Sequence, residues 1–477
     1  MDPEEDDKAV VKTVKSKVDW DVIGGFRFIL ACYVMFMHIG SNESWGAFNN
    51  LRSWPWHVHV FFTLGGYSMA SPMNPTIQKK FSYFLARIGS MYPMYAVALT
   101  FGLINLLVVC RPSTFRSEFH WDAQPDDLYL EDGSLAPLFC EGTPATPTSY
   151  WGSLFLTIFT YIFGLAITPF WPITWWLGYY LWFSSMYYCC LACFPATYNY
   201  FFDKTRKNIK LLLIWLFGLL AANAAICTGA WFIWKDMEGY GHYDEEGNPA
   251  SPEEYSNGVA QNAGVLSFYL FGPLWQIYFV IGMAAAFLYD AHRPAEKHSA
   301  RRWGWLADFI TLSMIGMSIA LVLQGVQPSD GEMYMRPESS NQKMDSANAN
   351  RLWDNVAGRI FAPLTTLWIY ALSTGEGFTA KLLRWSFLAK TLAPNAYNCF
   401  LFHQMVGQWY FAATRNGTMW NWWRFRKEMY WFSPGPCPVE WYEYFYVVGL
   451  VVAFSRLMTT LEPIVSDGCK YLFEEKI

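Results

Sequence analysis

Apolar stretches alternate with polar loops along most of the chain. About 20 apolar residues in an α-helix cross a bilayer core of roughly 30 Å, so each long stretch predicts a transmembrane helix. The predicted spans are residues 22–39, 57–71, 93–109, 175–195, 211–233, 266–289, 306–326, 357–373, 392–412 and 442–461. An eleventh apolar stretch, 149–168, ends before Pro169 and lies close to the next span, so the hydropathy pattern alone leaves its path open.

The composition is typical of a membrane protein. Charged residues make up only 15% of the chain, against about 25% in soluble globular proteins. The 25 tryptophans suit the two membrane–water interfaces, where an apolar ring with a polar edge is stable. A net charge of −5, without a run of Lys and Arg, argues against nucleic acid as a partner. The predicted fold class is all-α: a polytopic membrane helix bundle, with about ten transmembrane helices and one re-entrant or surface segment.

The distribution of positive charge favours ten spans over eleven. With ten spans and a cytoplasmic N-terminus, Lys and Arg are more numerous in the segments predicted to lie inside. If residues 149–168 also span, every later loop is inverted and this excess disappears. With ten spans, the sequons at Asn42 and Asn416 both fall in outer loops. We therefore predict that both termini are cytoplasmic. The predicted divisions are a tail of residues 1–21, a membrane domain of residues 22–461 and a tail of residues 462–477.

The first predicted helix, Val22–Ile39, carries only two ionisable side chains, Arg27 and His38. Eleven residues separate them, which is about three helical turns, so both project from one face and lie about 16 Å apart along the axis. Charged and polar side chains are costly in lipid, so this face should point into the bundle or into a watery cavity. Two interpretations remain open: a functional pair, or polar residues that help the helices associate.

Four further motifs follow the Arg27-x10-His38 pair of the first helix in a characteristic order. They are Phe61–Tyr67 (FFTLGGY), Ser82–Tyr95 (SYFLARIGSMYPMY), Trp182–Tyr188 (WFSSMYY) and Asn395–Gln404 (NAYNCFLFHQ). Together they resemble the acyltransferase 3 family of integral-membrane acyltransferases, over nearly the whole chain. Each motif is short and degenerate, and the specificity comes from their order.

The resemblance implies roles for the residues of the first helix. His38 would act as the general base that removes a proton from an acceptor hydroxyl, because the reference pKa of imidazole, about 6.5, is close to operating pH. Arg27 would bind the acyl donor or stabilise negative charge formed during transfer. Both are predicted catalytic residues. The resemblance also places Arg87 at a matching basic position, while the second Arg of the family pattern falls on Ser90.

Three residues of the later motifs complete the predicted site, either by binding the donor or by supporting residues that do. Tyr187 stands where many family members carry Glu, and Tyr397 and His403 match the late helix. Gly65 replaces a Ser of the family pattern. Gly65 and its neighbour would also permit close helix approach.

The implied activity is transfer of an acyl group from a thioester, acyl-CoA being the expected co-substrate, to a hydroxyl of a carbohydrate or lipid. The donor would be used at the inner face, with membrane lipids around the domain. No bound cofactor and no metal are expected, since no Cys or His spacing suggests a zinc site. His57 and His59 do not share a helix face and are interpreted as interfacial. A transporter or channel, and a catalytically silent receptor, remain alternatives.

Overall fold

The computed structural model describes residues 18–38, 56–71, 81–109, 182–205, 208–234, 272–292, 298–323, 357–414 and 441–474. These residues are almost entirely helical and include no strand. Their α-helices are α1 (Trp20–His38), α2 (Trp56–Ala70), α3 (Phe81–Val109), α4 (Trp182–Thr205), α5 (Ile209–Trp234), α6 (Gly272–His292), α7 (His298–Leu323), α8 (Ala362–Leu372), α9 (Phe378–Leu383), α10 (Ala396–Thr414) and α11 (Trp441–Glu474). The predicted all-α class is confirmed for this part of the chain.

Three described helices have the length and hydropathy needed to cross a membrane: Ile209–Ala230, Pro273–His292 and Trp441–Val465. The count of ten spans and the cytoplasmic termini stay predictions. The stretch 149–168, the two sequons and most of the predicted N-terminal tail lie outside the described residues, whereas residues 462–474 of the predicted C-terminal tail continue α11.

Several helices extend beyond the apolar stretches that predicted them. Helix α3 begins at Phe81 rather than at residue 93, and α7 begins at His298 rather than at residue 306. The span predicted at 357–373 is a 3-10 turn, Ala357–Phe361, followed by α8. Polar helical ends satisfy their backbone hydrogen bonds within the helix, but they fall below the hydropathy that reveals a span.

Glycines allow α2 and α6 to pack at close range. A Cβ added at Gly66 would collide with the carbonyl oxygen of Phe279, and one added at Gly282 would collide with the carbonyl oxygen of Thr63. Small residues at a helix crossing bring the backbones together and increase van der Waals contact, which drives association where no hydrophobic effect operates. The predicted close approach at the Gly65-Gly66 pair is confirmed at Gly66.

Contacts fix the relative directions of the helices around the site. The backbone N–H of Asp19, just before α1, donates to the carbonyl of Ser373, just after α8, at 2.9 Å. At the other end of α8, Thr365 lies 3.1 Å from His59 near the start of α2. Helices α2 and α8 therefore both run antiparallel to α1. We call the two ends of the bundle the Asp19 end and the His38 end.

The connection between α8 and α9 lies at the Asp19 end and is fastened to its neighbours. Arg384 pairs with Asp19 and also donates to the carbonyl of Gly375 at 2.8 Å. Gly375 has a φ of 73°, a left-handed conformation that glycine adopts without steric cost. Asp308 of α7 accepts hydrogen bonds from the backbone N–H groups of Phe378 and Thr379, at 2.8 and 2.7 Å. These bonds satisfy donors at the start of α9 and fasten it to α7.

Candidate active site

Arg27 lies two turns into α1. Its side chain is exposed, and side chains of α2, α3 and α4 lie close to it. Its Nη2 lies 3.4 Å from the hydroxyl oxygen of Ser68 on α2. A guanidinium that is enclosed by helices but accessible can remain charged and hydrated, which agrees with the expectation that this face of α1 points away from lipid.

Arg87 brings a second positive charge to the same region. Its Nη2 donates to the Tyr83 hydroxyl at 3.2 Å, and its guanidinium carbon lies 5.1 Å from the centre of the Tyr83 ring. The charges of Arg27 and Arg87 are close enough to interact. Among the described residues, neither guanidinium has a carboxylate partner, whereas Arg384 pairs with Asp19. Two neighbouring cations without an acidic partner repel each other and favour a bound anion.

Tyr187 of α4 forms the third side of this region. Its phenol lies within electrostatic range of both Arg27 and Arg87. Its ring lies directly on Gly65 of α2, where an added Cβ would collide with the ring. The sequence interpretation noted that Gly65 stands in place of Ser and that Tyr187 stands in place of Glu. In the structure, the tyrosine ring occupies the space that a Ser side chain at residue 65 would need.

These residues line what we call the arginine opening: Arg27, Ser68, Tyr83, Arg87 and Tyr187. Four of the five are half-buried and Arg27 is exposed, as expected for the lining of a space rather than a packed core. Arginine forks match the oxygen geometry of phosphate and carboxylate groups, and hydroxyls add neutral donors. The opening is therefore suited to an anionic or strongly polar ligand. The sequence placed Arg27, Arg87 and Tyr187 in the site but did not identify Ser68 or Tyr83, which carry no charge to mark them.

His38 is the last residue of α1, and the helix is unbroken from Trp20 to it. The helical spacing assumed for Arg27 and His38 therefore applies, and puts their Cα atoms about 16 Å apart along the axis on one face. The His38 and His57 side chains lie outside the described residues. The assignment of His38 as general base stays a prediction.

Tyr397 borders the arginine opening, whereas His403 does not. Tyr397, on α10, donates to the carbonyl of Met91 on α3 at 3.3 Å and lies within electrostatic range of Tyr187. His403 is fully buried, and its Nδ1–H donates to the carbonyl of Phe400 at 2.6 Å within the same helix. His403 thus orients its ring against its own helix, on the part of α10 nearer the His38 end.

A second polar cluster lies in the bundle and was not predicted. Arg359 is 2% exposed, and its guanidinium stacks on the Trp275 ring with the central carbon 4.1 Å from the ring centre. Asn223 of α5 donates to the Arg359 carbonyl at 2.9 Å and accepts from the Tyr278 hydroxyl. This network fastens the mainly exposed helix α5 to the bundle. The cost of an arginine inside a predicted span was the signal that could have identified the cluster.

His59 differs from its sequence interpretation. Rather than an interfacial side chain, it is a buried ring whose Nε2 lies 3.1 Å from the Thr365 hydroxyl. The centre of the His59 ring also lies 5.4 Å from that of the Tyr278 ring, which places His59 beside the Arg359 cluster. Among the described residues, no three His, Cys, Asp or Glu side chains are grouped so that they could hold a metal ion.

Comparison with known proteins supports one family. The family model described as an acyltransferase domain, acyltransferase 3, matches residues 20–455, which is nearly the whole chain and includes all the lining residues of the arginine opening. No curated protein and no solved structure matches the chain.

Proposed function

The chain belongs to the acyltransferase 3 family, and from that premise we propose that it is a membrane O-acyltransferase that transfers an acyl group from acyl-CoA to a hydroxyl of a carbohydrate or lipid. The observation that supports this most is the arginine opening. Arg27 and Arg87 present two guanidinium groups that have no carboxylate partner in the described part of the chain, beside a tyrosine hydroxyl and inside a bundle that has apolar helices able to cross a membrane.

The donor is assigned to the Asp19 end. The phosphates of coenzyme A are anions that arginine binds through paired, charge-assisted hydrogen bonds. Arg27 and Arg87 lie in the half of the bundle nearer the Asp19 end, so phosphates bound by these two residues would direct the thioester along α1 toward His38. With a cytoplasmic N-terminus, this end would face the compartment that contains acyl-CoA.

The chemistry is assigned to the face of α1 that joins Arg27 to His38. The His38 imidazole takes the proton of an acceptor hydroxyl as the oxygen attacks the thioester carbonyl, which gives a tetrahedral oxyanion. The oxyanion collapses, the carbon–sulfur bond breaks, and the thiol leaves with the proton from the imidazolium. The ester and free coenzyme A are the products. Arg27 is assigned to the donor rather than to the oxyanion, because its Cα lies about 16 Å from that of His38 along α1.

The acceptor is assigned to the His38 end. The long polar loops predicted there would surround a carbohydrate or lipid headgroup arriving from the other side of the membrane. In this arrangement the acyl group crosses the bundle between the two ends while coenzyme A stays on the donor side. A transporter built from the same polar residues would instead move its substrate unchanged, and this difference separates the two classes.

The test is a comparison of acylated products in cells. Lipids and glycans are extracted from cells that lack the protein, from cells that regain it, and from cells that express His38→Ala at the same membrane level. Mass spectrometry should reveal an ester-linked acyl group that is present only with the wild-type protein. Identical lipid and glycan profiles in all three cell lines would contradict the proposal.

A further inference from the structure

Aromatic rings stand between the arginine opening and the His38 end of the bundle. The ring of Tyr187 lies on Gly65. Because α2 runs antiparallel to α1, Gly65 is about one turn nearer to the His38 end than Ser68, the residue beside Arg27. Tyr187 therefore forms the boundary of the arginine opening on the side that faces His38.

Phe183 extends this boundary by one turn of α4. Its ring stacks with that of Tyr187 at 6.1 Å between centres, with only 13° between the planes. The centre of its ring also lies 4.7 Å from that of Phe62 of α2 and 5.1 Å from that of Phe400 of α10. Aromatic contacts with both neighbouring helices hold Phe183 in place. We call Phe183, Tyr187 and Phe400 the aromatic constriction.

The constriction lies where α4 meets α2 and α10. Helix α1 packs closely on α10 and also contacts α2, but it has little close backbone contact with α4. The side chains of Phe183 and Tyr187 are half-buried rather than fully buried. In contrast, Phe62 and Phe279 behind them are completely buried. Half-buried rings at the edge of an opening limit the size of what can enter it.

We propose that Phe183 and Tyr187 determine the length of the acyl group, and that they restrict the donor to short acyl chains of the acetyl class. This inference rests on the proposed function, because it concerns the same donor site. A donor whose phosphates bind at Arg27 and Arg87, with its thioester directed along α1 toward His38, places its acyl chain against these rings. The stacked pair leaves space for a small acyl group, whereas a long chain would have to displace rings that are held by contacts with α2 and α10.

The expected size of the effect follows from general measurements of pocket specificity. One methylene group that a rigid apolar pocket does not accommodate changes kcat/KM by about 10- to 200-fold. We therefore expect the wild-type protein to prefer acetyl-CoA over butyryl-CoA by at least about tenfold, and octanoyl-CoA to be a very poor donor. Replacing Tyr187 with alanine removes the ring that covers Gly65, so the preference should move toward the longer donors by about tenfold or more.

The experiment measures free coenzyme A released from acetyl-, butyryl- and octanoyl-CoA by the purified protein in proteoliposomes that contain an extract of native lipids and glycans. Tyr187→Ala is compared with wild type, and Tyr187→Leu serves as a second opened variant if the alanine variant is unstable. Tyr187→Phe keeps the ring and should keep the chain-length preference. Tyr200→Ala is the matched control: it removes a tyrosine ring from the same helix, but one that is 42% exposed and packs on Trp215.

The outcomes separate this inference from the proposed function. Broadened use of butyryl- and octanoyl-CoA in the opened variants, with Tyr187→Phe and Tyr200→Ala unchanged in preference, supports the inference. Acceptance of all three donors by the wild type, or an unchanged preference in folded Tyr187→Ala and Tyr187→Leu, overturns it but leaves acyl transfer intact. Release of no coenzyme A from any donor by the wild type would contradict the proposed function itself.

Discussion

Replacement of Arg27 by glutamine tests whether the arginine opening binds the donor. The Arg27 side chain is exposed within the opening, and its described polar contact is a 3.4 Å approach to Ser68, so its removal leaves no buried cavity. The free energy of unfolding should change by no more than about 0.5 kcal/mol, as at other accessible positions. A hydrogen bond to a charged group contributes about 1.5–3 kcal/mol, which corresponds to a loss of about 10- to 100-fold in donor affinity.

Steady-state kinetics with acetyl-CoA give the result. We expect Arg27→Gln to raise the donor KM by about 10- to 100-fold, with a smaller change in the acceptor KM. Arg27→Lys should be less affected, because lysine keeps the charge but loses the planar fork that binds two oxygens at once. Arg456→Gln removes an exposed arginine from α11, outside the arginine opening, and should behave like wild type.

Two results would refute this reasoning. If Arg27→Gln retains the wild-type donor KM and kcat, the arginine is structural and the donor site lies elsewhere. If Arg27→Gln instead unfolds at a much lower temperature than Arg456→Gln, the side chain contributes to packing, and its interpretation as the lining of an opening is wrong.

Three further predictions concern the base, the packing and the topology. His38→Ala should lower transfer by about 10²–10⁴-fold, as expected for loss of a positioned base, while the purified protein remains folded; near-normal turnover would exclude that role. Gly66→Val should lower the melting temperature strongly, because a Cβ there collides with the Phe279 carbonyl, whereas Gly218→Ala, which meets no neighbouring atom within 4 Å, should not; equal melting temperatures would contradict the close packing. Cysteine introduced by Asn208→Cys should be labelled only from the cytoplasmic side, and outside labelling would mean that residues 149–168 span.

The sequence predicted helical content and family well because both depend on local patterns. Apolar stretches revealed most of the described helices, but not their polar ends: α3 begins at Phe81, ahead of the apolar stretch that predicted it. Hydropathy identifies the part of a helix that suits lipid, whereas hydrogen bonding and packing decide where the helix begins. Arg87 lies on the part of α3 that hydropathy missed.

The candidate site was predicted only in part, because proximity depends on tertiary packing. Motif positions indicated Arg27, Arg87 and Tyr187, but the contact between Tyr187 and Gly65 joins two helices far apart in sequence. Ser68 and Tyr83 belong to the opening for the same reason. Arg359 shows the opposite case: its charge inside an apolar stretch was visible, but its partners on α5 and α6 were not.

The central claim is that the protein transfers an acyl group rather than transporting a solute. The most direct test uses acetyl-CoA with one radioactive label in the acetyl group and a different one in the coenzyme A portion, supplied to one side of proteoliposomes that contain native lipids and glycans. We predict that the acetyl label becomes ester-linked to a hydroxyl of an acceptor, that an equal amount of coenzyme A label is released as free thiol on the donor side, and that His38→Ala does neither. Appearance of both labels together, unchanged, on the opposite side of the membrane would contradict acyl transfer and indicate a transporter.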